Sequence, residues 1–213
     1  MRAEELSPKG VVVIVPMKPL RLVKSRLAEG LGPHRREAVG LGMFDRVVRA
    51  AVDSAATAVW VVGGDEAVER VAVRIGAQWF EDDGKDLNDS LTVPFERAFG
   101  AGLAPAYLPA DLPFVSSEDV SNLIEASFGG ETVTLSPAHR DGGTNAIVVP
   151  AYSAFRPMLG PDSFDKHREQ ARREDISLEI FDSTGIGLDL DTPEDLAAYE
   201  KIEPGLIERL TSR

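Results

Sequence analysis

Asp189 and Asp191, in Gly187-Leu-Asp-Leu-Asp-Thr-Pro-Glu-Asp195, are two carboxylates spaced by one residue. In an extended strand alternate side chains point the same way, so both can face one ion. A third carboxylate, Asp111, stands in Pro109-Ala-Asp-Leu-Pro113, between two prolines that stiffen the backbone. Hard oxygen donors of this kind suit magnesium. Each also has a plainer use: Asp111 as a turn residue, and Asp191 as a negative charge at a helix start. A buried Asp189 without a partner has no such use, because an unpaired buried carboxylate is costly.

Cations gather elsewhere. Lys18, Arg21, Lys24 and Arg26 fall within Pro16-Met-Lys-Pro-Leu-Arg-Leu-Val-Lys-Ser-Arg26. Ammonium and guanidinium groups placed so can offset the charge of a triphosphate, although a solvated basic loop would read the same way. Arg140-Asp-Gly-Gly-Thr-Asn-Ala146 and Leu159-Gly-Pro-Asp-Ser-Phe164 add hydroxyls and exposed backbone N–H groups. These could cradle a small phosphorylated acid, while ordinary helix capping explains Ser163 equally well.

Cations for phosphates plus carboxylates for magnesium, with no serine–histidine elbow, form the inventory of phosphoryl or nucleotidyl transfer. Other phosphate chemistries fail on position. Lys24-Ser25 lacks the glycine that precedes it in a phosphate-binding P-loop, and no Gly-x-Gly-x-x-Gly occurs. A haloacid-dehalogenase phosphatase needs an aspartate nucleophile after the first strand, where Pro16 and Met17 stand. His34, His139 and His167 have no carboxylate or serine partner at an informative spacing and read as surface or structural residues.

The elements that must carry these groups alternate. Val11-Val-Val-Ile-Val15 reads as a strand buried on both faces, and apolar residues at helical spacing predict a helix over 34–56. Strands at 58–62, 78–80, 106–108, 131–135, 145–149, 178–181 and 186–190 follow. Between and after them, helices are expected at 65–75, 88–99, 116–128, 163–174 and from Thr192-Pro193 onward. This rhythm predicts a single α/β domain over residues 1–213 with a doubly wound, mostly parallel sheet, whose ligands bind beyond the carboxyl ends of the strands.

Composition narrows the partners. The chain has 213 residues, a formal net charge of -12 and no cysteine, so disulfides, thiolate nucleophiles and cysteine zinc sites are excluded. The negative field argues against nucleic acid. Without a membrane-length apolar run or a signal-like start, the expected location is the cytoplasm.

Six motifs in order then carry a resemblance. Val15-Pro-Met-Lys-Pro-Leu20 with Lys24-Ser-Arg-Leu27, Leu87-Asn88, Leu108-Pro-Ala-Asp-Leu-Pro113, Gly143-Thr-Asn-Ala146, Gly160-Pro-Asp-Ser-Phe164 and Asp189-Leu-Asp-Thr-Pro-Glu-Asp-Leu196 resemble the CofC/FbiD guanylyltransferases of deazaflavin coenzyme F-420 biosynthesis. The likeness runs from about residue 11 to 200. It implies a MobA-like, Rossmann-like nucleotidyltransferase fold and transfer of GMP from GTP to the phosphate of a three-carbon acid. Phosphoenolpyruvate is the expected acceptor, with 2-phospho-L-lactate or 3-phosphoglycerate as alternatives. A different nucleotidyltransferase of this fold, or a non-catalytic nucleotide-binding module, are the rival readings.

By the same resemblance, Asp111, Asp189 and Asp191 would hold magnesium, and Thr144, Gly160 and Ser163 the acceptor. Lys18, Lys24 and Arg26 would act at the nucleotide phosphates, with Pro16 and Ser25 beside them and Asn88 and Ser90 near the guanosine. One departure is the Ala138-His139-Arg140 segment, where the family often has an Asp-Arg pair. A homodimer and direct handover of the product to a downstream transferase are also expected.

Overall fold

A computed structural model describes residues 8–24, 27 and 31–212. The first strand, β1 (Val11–Met17), is buried along almost its whole length. Its odd and even residues serve different layers. Val11, Val13 and Val15 join Phe44, Val47 and Val48 of α1 (Pro33–Val52) in one cluster. Val12 and Ile14 join Leu91, Phe95 and Ala98 of α3 (Leu87–Ala101) in another. A strand packed on both faces cannot alternate polar with apolar residues, which is why the run is unbroken.

The sheet continues with β2 (Ala58–Gly63), β3 (Gln78–Phe80), β4 (Ala104–Tyr107), β5 (Val133–Pro137), β6 (Thr144–Val148) and β7 (Leu178–Ile180). The seven strands stand in the order β3-β2-β1-β4-β6-β5-β7. All pairs are parallel except those of β6, which runs antiparallel to both β4 and β5. Its first residues therefore lie at the edge where the other strands end. The helices between are α2 (Glu66–Ile75), α4 (Ser117–Ala126) and α5 (Ser163–Arg173). Polar caps set their starts: Asp65 accepts from the N–H groups of Ala67 and Val68, and Ser116 with Asp119 forms a capping box.

The expected elements up to 178–181 are present with shifted ends; the fourth strand, for instance, starts at Ala104 and stops at Tyr107. The strand expected over 186–190 is absent. In its place stands a single helical turn, α6 (Thr184–Gly187), followed by irregular chain. Ser183 caps that turn through the Ile186 N–H. The segment then bonds to loops instead of a strand: Gly187 O accepts from His139 N–H, and Leu190 N–H donates to Asp111 O. Leu190 is buried in a third cluster with Val39 and Met43 of α1, Tyr199 of α7 (Pro193–Ile202), and Leu206 and Leu210 of α8 (Leu206–Thr211). Packing against helices, not pairing in the sheet, explains its apolar alternation.

Candidate active site

The carboxyl ends of β1, β2 and β4 border a cavity of about 990 Å³, next to the point where the chain switches from one side of β1 to the other, the usual ligand position in such sheets. Pro16 and Met17 end β1 here, Met17 in register with Gly63 of β2. Gly63 has φ +84°, and a Cβ there would stand 2.7 Å from Met17 O, so a side chain would force the two strand ends apart. Lys18 is exposed at the rim.

Lys24 lies deeper. Its ammonium bonds Asp111 Oδ2 at 2.6 Å and Asp191 Oδ1 at 2.8 Å, with only 7% of the side chain exposed. Burial works against this charge, but the two carboxylates outweigh it and hold the lysine above its ordinary pKa. Asp189 takes a different partner, the side-chain amide of Asn145 at 3.3 Å. Burial and then the neighbouring Asp111 charge raise Asp189 above the usual carboxylate range, opposed by the Asn145 bond. Tyr107 is raised too, by burial first and then by Asp111, Asp189 and Asp191.

Because 186–190 is not a strand, the alternation expected to align Asp189 with Asp191 does not apply, and among the described residues no three histidine, cysteine, aspartate or glutamate groups are gathered as a metal site. Asp111 and Asp191 close instead on the Lys24 ammonium. Two hard oxygens converging on one cation are a donor set that fits a divalent ion taking the ammonium's place.

Lys24 is committed to carboxylates, and Ser25 and Arg26 lie outside the described residues. Among the described residues that line the cavity, three lysines, Lys18, Lys24 and Lys85, face eight carboxylates. A triphosphate entering such a lining needs a counter-ion with it.

The segment carrying Asp189 and Asp191 is held from behind. Asp195, 5% exposed, accepts from the N–H groups of Asp191 and Thr192 and from Arg140. Tyr199 donates its hydroxyl to Asp189 O. Arg140, from the turn before β6, thus braces the loop that carries the aspartates.

The residues expected at the acceptor do come together, around the start of β6. Thr144 and Asn145 are its first two residues. Asn145 turns to Asp189, while Thr144 Oγ1 bonds Ser163 Oγ at 3.2 Å and His167 Nδ1 at 3.0 Å. Ser163 opens α5, which is tied to the Gly142-Gly143 turn by Phe164 N–H donating to Gly142 O. Gly160 is exposed, with φ +127° and nothing near a built Cβ, whereas Thr144 and Ser163 are buried. None of these three lines the large cavity.

Ser90 is buried beside that cavity and donates to Asp82 and to Asp86 O. It also lines an adjoining cavity of about 320 Å³, walled by Trp60, Phe80 and Arg97. Asn88 does not line either one. Its amide is spent on both backbone groups of Leu159, accepting at 2.7 Å and donating at 3.0 Å, so it anchors the segment before α5 to α3. Sequence reasoning took His167 as a surface or structural residue and did not single out Tyr107, Asn145 or the Arg140–Asp195 pair. Asn145, Arg140 and Asp195 stood inside motifs without a role of their own, and Tyr107 carried no spacing signal.

The family model described as "Guanylyl transferase CofC like" matches residues 11–200. The chain belongs to the CofC-like guanylyl transferase family. The phosphoenolpyruvate guanylyltransferase of Rubrobacter xylanophilus is 38% identical over 192 residues, covering 89% of this chain and 93% of that one. The 2-phospho-L-lactate guanylyltransferase of Methanothermobacter thermautotrophicus is 31% identical, covering 86% and 81%. The 3-phospho-D-glycerate guanylyltransferase of Phenylobacterium zucineum is 33% identical, covering 81% of each.

Among solved structures, a nucleotidyl transferase from Methanothermobacter thermautotrophicus superposes with a TM-score of 0.61 at 16% identity, over 94% of this chain and 99% of that one. This likeness concerns the fold alone, an α/β nucleotidyltransferase architecture. As a family member the chain is a nucleotidyltransferase. Among the described residues no helix is long and apolar enough to cross a membrane.

Proposed function

We propose that this CofC-like enzyme transfers the guanylyl group of GTP to the phosphate of phosphoenolpyruvate, giving enolpyruvoyl-2-diphospho-5'-guanosine and pyrophosphate. The observation that carries this reading is the 38% identity over nearly the full length to a phosphoenolpyruvate guanylyltransferase. The site supports it. A phosphate oxygen of the acid attacks the α-phosphorus of GTP, and the bond from that phosphorus to the bridging oxygen of the β-phosphate breaks. A phosphate monoester has its second pKa near 6, so the attacking oxygen is largely ionised at pH 7 and needs no general base. That removes any demand for a catalytic histidine.

In this reading Lys18 and Lys24, with Arg26, neutralise the nucleotide phosphates, and Pro16 and Ser25 shape their loop. The guanosine takes the adjoining cavity that Ser90 lines, and Thr144, Gly160 and Ser163 hold the acid. Magnesium, held by Asp111 and Asp191 with Asp189 alongside, would supply charge neutralisation at the transferring phosphoryl group. The test is pyrophosphate release with GTP and magnesium, run with phosphoenolpyruvate, 2-phospho-L-lactate and 3-phosphoglycerate, with ATP and CTP as controls. Turnover with GTP and phosphoenolpyruvate is expected; preference for another acid renames the acceptor, and silence with all three overturns the reading.

We also assign the product to direct handover to a downstream transferase. Labelled product made in place should then resist dilution by added unlabelled product.

A further inference from the structure

His167 is completely buried, on the second turn of α5, and packs beside the Phe155 ring. Both ring nitrogens are engaged. The backbone N–H of Met158 donates to Nε2 at 2.7 Å, and Nδ1 stands 3.0 Å from Thr144 Oγ1. A backbone amide can only donate, so Nε2 must be the bare nitrogen and the ring proton must sit on Nδ1. The imidazole is therefore neutral and donates to Thr144. Burial, with Lys166 nearby, depresses its pKa to about 4, so this state holds at neutral pH.

A count of protons follows. The ring N–H and the hydroxyls of Thr144 and Ser163 are three donors, and the chain His167–Thr144–Ser163 contains two hydrogen bonds. Among the described residues neither hydroxyl has a further hydrogen bond. One hydroxyl proton is left over, on groups that are 6% and 1% exposed, and a buried donor without an acceptor is costly. An anionic oxygen is the partner such a donor calls for.

We propose that His167 is a positioning residue of the acceptor site: by saturating Thr144 it commits the Thr144–Ser163 hydroxyl pair to donate to an anionic oxygen of the bound acid. The inference rests on the proposed function, since it is the phosphorylated acid that supplies the oxygen. The rival role is structural, with His167 serving only to accept from Met158.

Two substitutions separate these roles. In His167→Asn the side-chain amide retains an N–H near the position of Nδ1, whereas His167→Gln retains an acceptor near the position of Nε2. The proposal expects His167→Gln to raise the KM for phosphoenolpyruvate at least about tenfold, with the KM for GTP unchanged. His167→Asn should stay close to wild type in both. Thr144→Val should match the His167→Gln effect, and combining the two should add little. The opposite pattern, impaired His167→Asn and normal His167→Gln, overturns the proposal, as do equal rises in both KM values.

Should these variants fail to fold, nitrogen-15 NMR of the wild-type imidazole decides. A neutral Nδ1–H ring whose signal moves on adding phosphoenolpyruvate supports the role, and an Nε2–H or charged ring at pH 7 overturns it. Wild-type turnover with an unchanged acid KM in His167→Gln overturns the role of His167 alone. Absence of turnover with every acid overturns the proposed function.

Discussion

Asp189 and Asp191 flank Leu190 yet answer to different partners, an amide on one side and an ammonium on the other. Neither is needed to hold the sheet together, so Asp189→Asn and Asp191→Asn should fold normally, with unchanged circular dichroism, while kcat falls at least about 100-fold. Full activity in either variant would remove it from the reacting centre. His167 makes a separate prediction about acid. Its folded pKa lies at about 4, below the unfolded value of 6.5, so its neutral form stabilises the fold above pH 6.5 and that contribution is lost as pH falls towards 4. The loss is roughly 3 kcal/mol, and urea titrations should show it in wild type but not in His167→Gln. The carboxylates were legible as residue types at suggestive positions. Their pairing was not, because Lys24 meets Asp111 across 87 residues and Asp191 across 167, and the Thr144–His167 bond likewise has no local signature.

At the scale of elements, Leu190 shows how packing aims chemistry. It is fully buried in the cluster of α1, α7 and α8, and so pins the short segment whose two neighbours are the aspartates. Leu190→Ala should cost roughly 2–5 kcal/mol by cavity formation and lower kcat at the same time, because the segment loses its anchor. Thermal melts and steady-state kinetics together would check this; lost stability with intact kcat would mean the aspartates are aimed by Asp195 and Tyr199 alone. The same segment marks where pattern reading stopped. Ile186, Leu188 and Leu190 alternate as a strand would, but Ile186 packs in the cluster on one face of the sheet and Leu188 and Leu190 in the helical cluster of α1, α7 and α8, with no strand pairing. The other strands and helices were legible because their apolar periods match the two faces of a sheet. The reversal of β6 was not, since a fully buried run carries no mark of its direction.

For the molecule as a whole, charge sets the terms of binding. The chain carries a formal net charge of -12, and among the described residues its large cavity presents three lysines against eight carboxylates. GTP, itself an anion, should bind weakly alone and at least about tenfold tighter with magnesium, as calorimetry with and without a chelator can measure. Equal affinity in both conditions would mean that the lysines suffice.

In the proposed function, the nucleotide and the acid are served by different parts of the chain. Lys18, Lys24, Ser90 and Asp111 all come from the first 111 residues, whereas Thr144, Gly160, Ser163 and His167 come from a contiguous stretch that begins at the β5–β6 hairpin and ends inside α5. That stretch contributes one strand to the sheet, β6, held between β4 and β5. Transplanting residues 138–168 from the 3-phospho-D-glycerate relative should carry over acid preference while leaving the choice of nucleotide untouched, and a chimera that kept its old acid would show that selectivity is inherited elsewhere in the chain.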